Sequence, residues 1–276
     1  MEIEQAVTRH YAHGALEEAI LNALEAAGKD VNRLTPKDLA PVDEFHVGGR
    51  QATMAFAEQF GPTPGMRLLD IGCGLGGAAR YFASEHGCHV TGIDLSGEYV
   101  GVANALAARV GLADCVSCEQ GSALALPFAP GSFDGAYMFH VGMNIENKAK
   151  LFAEVRRVLA PSGLFGIYDV MRLAAGELSY PVPWASGPES SFVADAASYR
   201  RLLVAEGFEV LKERDRRDFA LEVFGLMRAR GGAGGPGPLG LHIVMGASAA
   251  QKVKNMIGDI SSGLIAPTEL ICRVAE

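Results

Sequence analysis

Apolar residues along the chain alternate between a spacing typical of buried strands and one typical of amphipathic helices. Residues 68–71 and 89–94 predict two buried strands, and a helix is expected to start near Ala78, between them. Strand and helix patterns continue to alternate through residue 170. This alternation predicts an α/β fold with a parallel sheet and right-handed crossover helices.

The two ends of the chain depart from that alternation. Residues 1–60 show helical spacing, as in the repeat of Leu16, Ile20 and Leu24. Prolines and aromatic residues interrupt the pattern at 172–194, and a second interruption covers 218–266. We therefore expect three features: a helical N-terminal segment over 1–60, a main domain over 61–276, and two insertions that form a lid over the sheet's ligand edge.

The turn between the two predicted strands is rich in glycine. Gly72 and Gly74 allow the backbone to turn tightly and to approach a ligand without a Cβ atom in the way. The helix that follows offers free N–H groups at its first turn. Asp94, 22 residues after Gly72, lies where a carboxylate can accept both hydroxyls of a ribose. The pattern predicts a site for an adenosine-containing cofactor.

Two cofactors fit the residues of this turn. Gly72, Gly74 and Gly77 satisfy the G-x-G-x-x-G spacing of a dinucleotide site, which favours an NAD-dependent oxidoreductase. The run from Asp70 to Gly76 also satisfies an acid-x-Gly-x-Gly-x-Gly pattern, which favours S-adenosylmethionine. No Tyr-x-x-x-Lys pair or similar hydride-transfer group is evident. A catalytically silent protein that only binds S-adenosylmethionine is a further alternative.

The sequence downstream resembles the class I S-adenosylmethionine-dependent methyltransferases over about 61–170. The resemblance rests on residues 121–128 and 131–140, the helix pattern of 148–159, and a turn and strand over 161–170. It implies a doubly wound, Rossmann-like sheet of seven strands, mostly parallel, whose last strand at 269–274 is antiparallel. Segments 139–148 and 180–184 are most similar to bacterial sarcosine/dimethylglycine N-methyltransferases.

The resemblance also implies which residues hold the cofactor. Asp70 would act on the methionine ammonium, Asp94 on the ribose, and Leu95 on the adenine. Many relatives place an acid near the adenine amine where this chain has Ser122. The expected cofactor-binding set is His46, Gly48, Gly49, Asp70, Gly72, Gly74, Asp94, Leu95, Ser122, Ala123 and His140.

The expected reaction is in-line displacement of the sulfonium methyl by a small-molecule acceptor, with amine nitrogen slightly preferred over phenolic oxygen or carbon. A phenol or carbon acid needs a base, for which His140 is the candidate. The alternative is that His140 only hydrogen-bonds the cofactor or caps a helix. Four aromatic residues are expected either to line an acceptor pocket or to pack the lid onto the sheet: Tyr168, Tyr180, Trp184 and Phe192.

Charge and composition narrow the choice of partners. A net charge of −8 over 276 residues gives no basic field, so we expect no nucleic-acid partner. No stretch reaches 18 consecutive apolar residues, and the acidic N-terminus lacks a signal-peptide core. The five scattered cysteines show no zinc-ligand spacing. We expect a cytoplasmic, metal-free enzyme with no membrane partner that can form a homodimer.

Overall fold

The structure, a computed structural model, describes residues 2–11, 14–230 and 237–275. Residues 12, 13 and 231–236, which belong to the predicted N-terminal segment and second insertion, lie outside the described residues. Within the described residues, the strands are β1 (Arg67–Ile71), β2 (His89–Asp94), β3 (Val116–Gln120), β4 (Phe133–Phe139), β5 (Leu159–Arg172), β6 (Phe208–Asp215) and β7 (Ile265–Val274).

These strands form one sheet in the order β3-β2-β1-β4-β5-β7-β6. The pairs between β3 and β5 are parallel, whereas β7 runs antiparallel to both β5 and β6. The predicted seven-stranded α/β fold is therefore confirmed, including the antiparallel last strand. Strand β7 begins earlier than predicted because Ile265 already pairs with Arg172 at the end of β5.

Helices cover both faces of the sheet and its ligand edge. The described helices are α1 (Glu2–His10), α2 (Leu16–Ala26), α3 (Pro36–Asp43), α4 (Gly49–Phe60), α5 (Gly77–His86), α6 (Gly97–Arg109), α7 (Lys148–Val158), α8 (Ala196–Ala205), α9 (Arg217–Arg230), α10 (His242–Met245) and α11 (Ala249–Ser261).

The strands contribute side chains to a separate core on each face of the sheet. Leu68 and Tyr137 belong to the core on one face, whereas their neighbours Leu69 and Met138 belong to the core on the other. All four side chains are fully buried. This follows from the two-residue period of a strand, and burial on both faces gives the near-continuous apolar runs of a parallel sheet.

The segments outside the sheet are packed against it and against each other. The predicted stripe of Leu16, Ile20 and Leu24 on α2 is buried in a cluster shared with residues of α6. The two insertions are joined where Ser179 donates from its backbone N and its Oγ to the carboxylate of Asp259, at 3.0 and 2.9 Å. These contacts hold both insertions as one layer beside the sheet.

Candidate active site

A cavity of about 360 Å³ opens at the carboxyl ends of β1, β2, β3 and β4. The strand order reverses between β1 and β4, and ligands of open α/β sheets bind at such switch points. The structure brings together nine of the eleven residues expected to bind the cofactor, including the candidate base His140. The cavity lining includes His46, Asp70, Gly72, Gly74, Asp94, Leu95, Ser122, Ala123 and His140.

The glycine turn after β1 is held against the sheet on one side and faces the cavity on the other. Gly72 has φ +68°, and a Cβ there would lie 2.5 Å from the side chain of Val141. Gly74 has φ +53°, yet a Cβ there would meet no protein atom within 4 Å. The open space beside Gly74 therefore belongs to the cavity, and a ligand can approach this backbone closely.

Asp94 lies at the end of β2 and is held by two backbone groups. Its Oδ2 accepts from the N–H of Gly74 and its Oδ1 accepts from the N–H of Ser96, each at 2.9 Å. A carboxylate offers about four lone-pair sites, so both oxygens retain capacity for ligand hydroxyls. The two bonds fix the carboxylate toward the cavity in the position expected for a ribose contact.

Asp70, near the end of β1, is a buried acid that the protein does not fully satisfy. It is 2% exposed, and its Oδ2 has no hydrogen-bond partner among the described residues. Burial raises the pKa of Asp70 to about 8. A buried carboxyl with an unused oxygen at a cavity wall fits an ammonium ligand, because a cation there would restore the charged form. Asp70, Asp94 and the space at Gly74 together fit the cofactor that the resemblance implies.

Helix α1 covers the cavity, a role that sequence reasoning missed. Ile3, Glu4, Val7, Thr8 and Tyr11 line the cavity. Ser122, after β3, donates to Glu4, and Tyr11 Oη donates to Asn144 across the opening at 3.4 Å. No sequence motif marks this short helix, so the pattern could give its helicity but not its position.

The segment before α4 reaches the cavity, although not through its glycines. Asp43, Phe45 and His46 line it, whereas Gly48 and Gly49 do not. A Cβ on Gly48 would lie 2.4 Å from the ring of Phe219. Gly48 makes room for a side chain of α9, and the approach of both glycines to the cofactor stays a prediction.

His140 follows β4 in an uncommon backbone conformation, with φ +55°. Its backbone N–H donates to the carbonyl of Tyr168 at 2.7 Å, which continues the β4–β5 pairing by one residue. The Nε2 atom is buried and has no hydrogen-bond partner among the described residues. Burial, reinforced by nearby His46, holds the pKa of His140 well below its usual value, so the ring is neutral. A strained, neutral imidazole at the cavity wall is typical of a functional residue.

The family described as "Methyltransferase domain" matches residues 69–167, which span the strands that build this site. An O-methyltransferase from Aspergillus nomiae is 30% identical over 187 residues, which are 64% of this chain and 79% of that protein. The chain belongs to the S-adenosylmethionine-dependent methyltransferases. Their cofactor is S-adenosylmethionine, which becomes S-adenosylhomocysteine on methyl transfer.

Other similar proteins share less. A sterol 24-C-methyltransferase from Gibberella zeae is 39% identical over 113 residues, which are 41% of this chain and 30% of that protein. The chain spans less than half the length of the sterol methyltransferases it matches. A solved structure from Galdieria sulphuraria, assigned to the sarcosine dimethylglycine methyltransferases, matches with a TM-score of 0.63 at 19% identity, over 82% of this chain and 84% of that one. At that identity the likeness shows the fold alone.

The four aromatic residues expected around the acceptor do not line the cavity of this methyltransferase. Trp184 is 1% exposed and its Nε1 donates to Ser191 Oγ at 3.0 Å, within the first insertion. Tyr168 is also buried, and its hydroxyl donates to the carbonyl of Val47 at 3.0 Å. Tyr180 packs into the same insertion cluster as Trp184. Tyr180 and Trp184 thus pack within the first insertion, and contact of the acceptor with Tyr168, Tyr180, Trp184 or Phe192 stays a prediction.

The described residues contain no group of three or more histidine, cysteine, aspartate or glutamate side chains that could hold a metal ion. They also contain no helix with the length and apolar character needed to span a bilayer.

Proposed function

We propose that this protein transfers the methyl group of S-adenosylmethionine to a small-molecule acceptor, with amine nitrogen ahead of phenolic oxygen and carbon. One observation carries the proposal. Asp70 and Asp94, on adjacent parallel strands, both open onto one cavity, with the glycine turn between them. This arrangement supports binding of the methionine ammonium at Asp70 and of the ribose at Asp94, with the cofactor close to the backbone of the glycine turn.

The proposed cofactor contacts follow from this arrangement. Asp70 binds the methionine ammonium, and Gly72 and Gly74 allow the backbone to approach. Asp94 binds the ribose hydroxyls through oxygens already oriented by Gly74 and Ser96. The adenine contacts assigned to Leu95, Ser122 and Ala123 rest on their place in the same cavity lining.

The charge of the cavity supports a cationic or neutral acceptor. Among the described residues, its lining includes the acids Glu4, Asp94 and Glu146 and neither lysine nor arginine. It also includes Asp43, which is paired with Arg80, and Asp70, which is protonated at neutral pH in the free chain. A concave surface with one sign of charge concentrates ligands of the opposite sign. An acceptor anchored by a phosphate or carboxylate would meet repulsion here, whereas an ammonium would be attracted. This favours amines that carry no carboxylate, so the finer resemblance to sarcosine and dimethylglycine N-methyltransferases, whose acceptors each carry one, rests on the sequence alone.

Methyl transfer requires that the acceptor be aligned with the methyl group, that water be kept out of the cavity and that a proton acceptor be present. When bound, S-adenosylmethionine supplies an electrophilic methyl on a positively charged sulfur. Residues of helix α1 and the hydrogen-bonded pair of Tyr11 and Asn144 line the cavity, which supports a site shielded from bulk water. An acceptor bound as an ammonium must lose a proton before its lone pair can attack. His140, whose buried Nε2 has no hydrogen-bond partner among the described residues, is proposed to accept a hydrogen bond from the N–H or O–H group of the acceptor.

A transfer assay with an acceptor screen tests this function. The protein is incubated with S-adenosylmethionine and, in turn, sarcosine, dimethylglycine, longer alkylamines and substituted phenols, and S-adenosylhomocysteine formation is measured. Turnover with an amine is expected, and a variant with Asp94 changed to Ala should lose it. Binding of S-adenosylhomocysteine without turnover of any acceptor would favour the silent binding protein. The homodimer, the cytoplasmic location and the lack of a nucleic-acid partner stay predictions from the sequence.

A further inference from the structure

A chain of polar groups lies directly behind the cavity wall at His46. The Nε2 atom of His46 lies 3.1 Å from the carbonyl oxygen of Gly49 and 3.0 Å from Thr53 Oγ1. Thr53 Oγ1 donates to Glu44 Oε2 at 2.5 Å, and His46 Nε2 is itself 3.6 Å from that oxygen. Of the three side chains, His46 lines the cavity and the other two do not.

These contacts determine which ring nitrogen of His46 carries the proton. A carbonyl oxygen can only accept, so Nε2 must donate to Gly49. The hydroxyl hydrogen of Thr53 is used on Glu44, which leaves its oxygen free to accept from the same Nε2–H. The proton of the neutral ring is therefore on Nε2, and Nδ1 is the nitrogen with a free lone pair. Burial lowers the pKa of His46 to about 4, so this neutral form is the resting state.

The groups packed around His46 are mostly uncharged. Its ring stacks on Phe139 at 4.9 Å and meets Tyr168 edge-on at 6.0 Å, and the neutral ring of His140 is 6.1 Å away. The charges near it lie on its Glu44 side. Arg50 Nη1 is 3.9 Å from Glu44 Oε1, and Asp43, paired with Arg80, is adjacent in sequence to Glu44.

Glu44 is a buried acid with one oxygen that can accept a further hydrogen bond. It is 2% exposed, and its Oε1 has no hydrogen-bond partner among the described residues. Burial, with a contribution from Asp43, raises the pKa of Glu44 to about 7. At and above neutral pH a growing fraction of Glu44 is ionised, and an ionised carboxylate 3.6 Å from Nε2 stabilises a positive charge on His46. Among the described residues, no carboxylate is hydrogen-bonded to the ring of His140.

We infer that His46 is the catalytic base of this methyltransferase, and that Thr53 and Glu44 are positioning residues that fix its tautomer and stabilise its protonated form. The inference rests on the proposed function, since a base is needed only if an acceptor loses a proton in this cavity. His140 then contacts the acceptor, but the acceptor's proton moves to His46.

The proposed step combines one proton transfer with the transfer of the methyl group. The proton of the acceptor's N–H or O–H bond moves to Nδ1 of His46, and the electron pair of that bond stays on the acceptor atom. That pair forms the new bond to the methyl carbon. The pair of the broken carbon–sulfur bond returns to sulfur, which becomes a neutral thioether. The positive charge lost at sulfur is thereby matched by the one gained on His46, next to Glu44.

The test compares variants that keep the shape of a side chain while removing its charge or its hydroxyl group. Glu44→Gln keeps an oxygen to accept from Thr53 but removes the charge, and Thr53→Val removes the hydroxyl that Thr53→Ser keeps. Glu58→Gln, an exposed acid on the same helix as Thr53, is the matched control. With the amine found in the acceptor screen, we expect kcat to fall about 100-fold in Glu44→Gln and in His46→Gln. Thr53→Ser should recover activity that Thr53→Val loses.

Three readouts separate this role from a structural one. The double variant of Glu44 and His46 should lose no more kcat than either single variant, because groups that act as a unit are not additive. The kcat of the wild type should rise as pH passes about 7, where Glu44 ionises, and this rise should vanish in Glu44→Gln. Affinity for S-adenosylhomocysteine should stay within about threefold in the Glu44 and Thr53 variants, whose side chains do not line the cavity.

The outcomes distinguish failure of the inference from failure of the proposed function. A wild type that does not bind S-adenosylhomocysteine overturns the proposed function. Additive losses, or an unchanged pH profile in Glu44→Gln, overturn the role of His46 while leaving that function intact. If no acceptor turns over, ¹⁵N spectra of the His46 ring in the S-adenosylhomocysteine complex still decide its tautomer. Nε2–H supports the inference, and Nδ1–H contradicts it.

Discussion

The backbone N–H of Gly74 donates to Asp94 Oδ2 at 2.9 Å, which ties the glycine turn after β1 to the acid at the end of β2. The bond links the two parts of the cofactor site before any ligand arrives. Asp94 thus orients the turn, and in the proposed function it also binds the ribose.

Replacing Asp94 with Ala should weaken S-adenosylhomocysteine binding about 100-fold or more, because hydrogen bonds to a charged group contribute about 1.5–3 kcal/mol each. Asp94→Asn should fall between Ala and wild type, since its amide oxygen can still accept from Gly74. Glu119→Gln, an exposed acid on β3, removes the same charge away from the cavity and should leave binding unchanged. Calorimetric titration measures all four proteins. Wild-type affinity in Asp94→Ala would disprove the ribose assignment.

Cofactor affinity should depend on pH through Asp70. Burial raises the pKa of this carboxyl to about 8 in the free chain, so it is protonated at neutral pH. An ammonium ligand favours the ionised form, and binding below about pH 8 therefore releases a proton. Affinity for S-adenosylhomocysteine should rise as pH increases toward 8, and titrations in two buffers of different ionisation enthalpy should reveal the released proton. Asp70→Asn should bind more weakly with no such rise. A flat profile in the wild type would contradict the contact.

The two glycines of the turn should respond differently to Ala. At Gly74 the new Cβ meets no protein atom within 4 Å, so only the positive φ of +53° opposes it, at a cost of about 1–2 kcal/mol. At Gly72 the Cβ also lies 2.5 Å from Val141. Denaturant unfolding should show Gly72→Ala to be clearly the less stable variant. Both should lose cofactor affinity, and tight binding by Gly74→Ala would show that the open space there is not used by the cofactor.

Stability should depend on a buried ion pair beside the site. Arg80 is fully buried and donates to Asp43 at 2.5 Å and to the carbonyl of Leu75, in the glycine turn, at 2.7 Å. Arg80→Met should lower the free energy of unfolding by about 3–5 kcal/mol, because it leaves a buried carboxylate without its cation.

The exposed pair of Arg67 and Asp134, at 2.9 Å, provides the control for that variant. Arg67→Met should cost less than about 1 kcal/mol, since exposed ion pairs contribute little. Urea unfolding at neutral pH compares the two variants, and a double variant of Arg80→Met with Asp43→Asn should recover part of the loss. Equal losses in the two single variants would refute the assignment of a stabilising role to the buried pair.

Local sequence patterns predicted those parts of the site whose residues lie close together in the chain. The strand that ends at Asp94 was predicted over the residues that form it, because apolar alternation and the acid at its end are both local. The glycine turn was equally visible, since its positive φ values require glycine at the positions where the pattern places it.

Features that depend on contacts between distant residues could not be predicted in this way. The local sequence around Trp184 is the same whether this side chain lines a pocket or packs inside a lid. Its placement depends on the hydrogen bond to the Ser191 hydroxyl. The cover that α1 provides depends on Glu4 meeting Ser122, far along the chain. The carboxylate behind His46 was also missed, because Glu44 reaches it through Thr53 on the next helix.

Calorimetric titration of the purified protein with S-adenosylhomocysteine, with NADH as the control ligand, decides which class of cofactor the cavity binds. We expect S-adenosylhomocysteine to bind with a dissociation constant on the order of micromolar and NADH not to bind. Binding of NADH in place of S-adenosylhomocysteine would contradict the proposed function and point to a redox substrate.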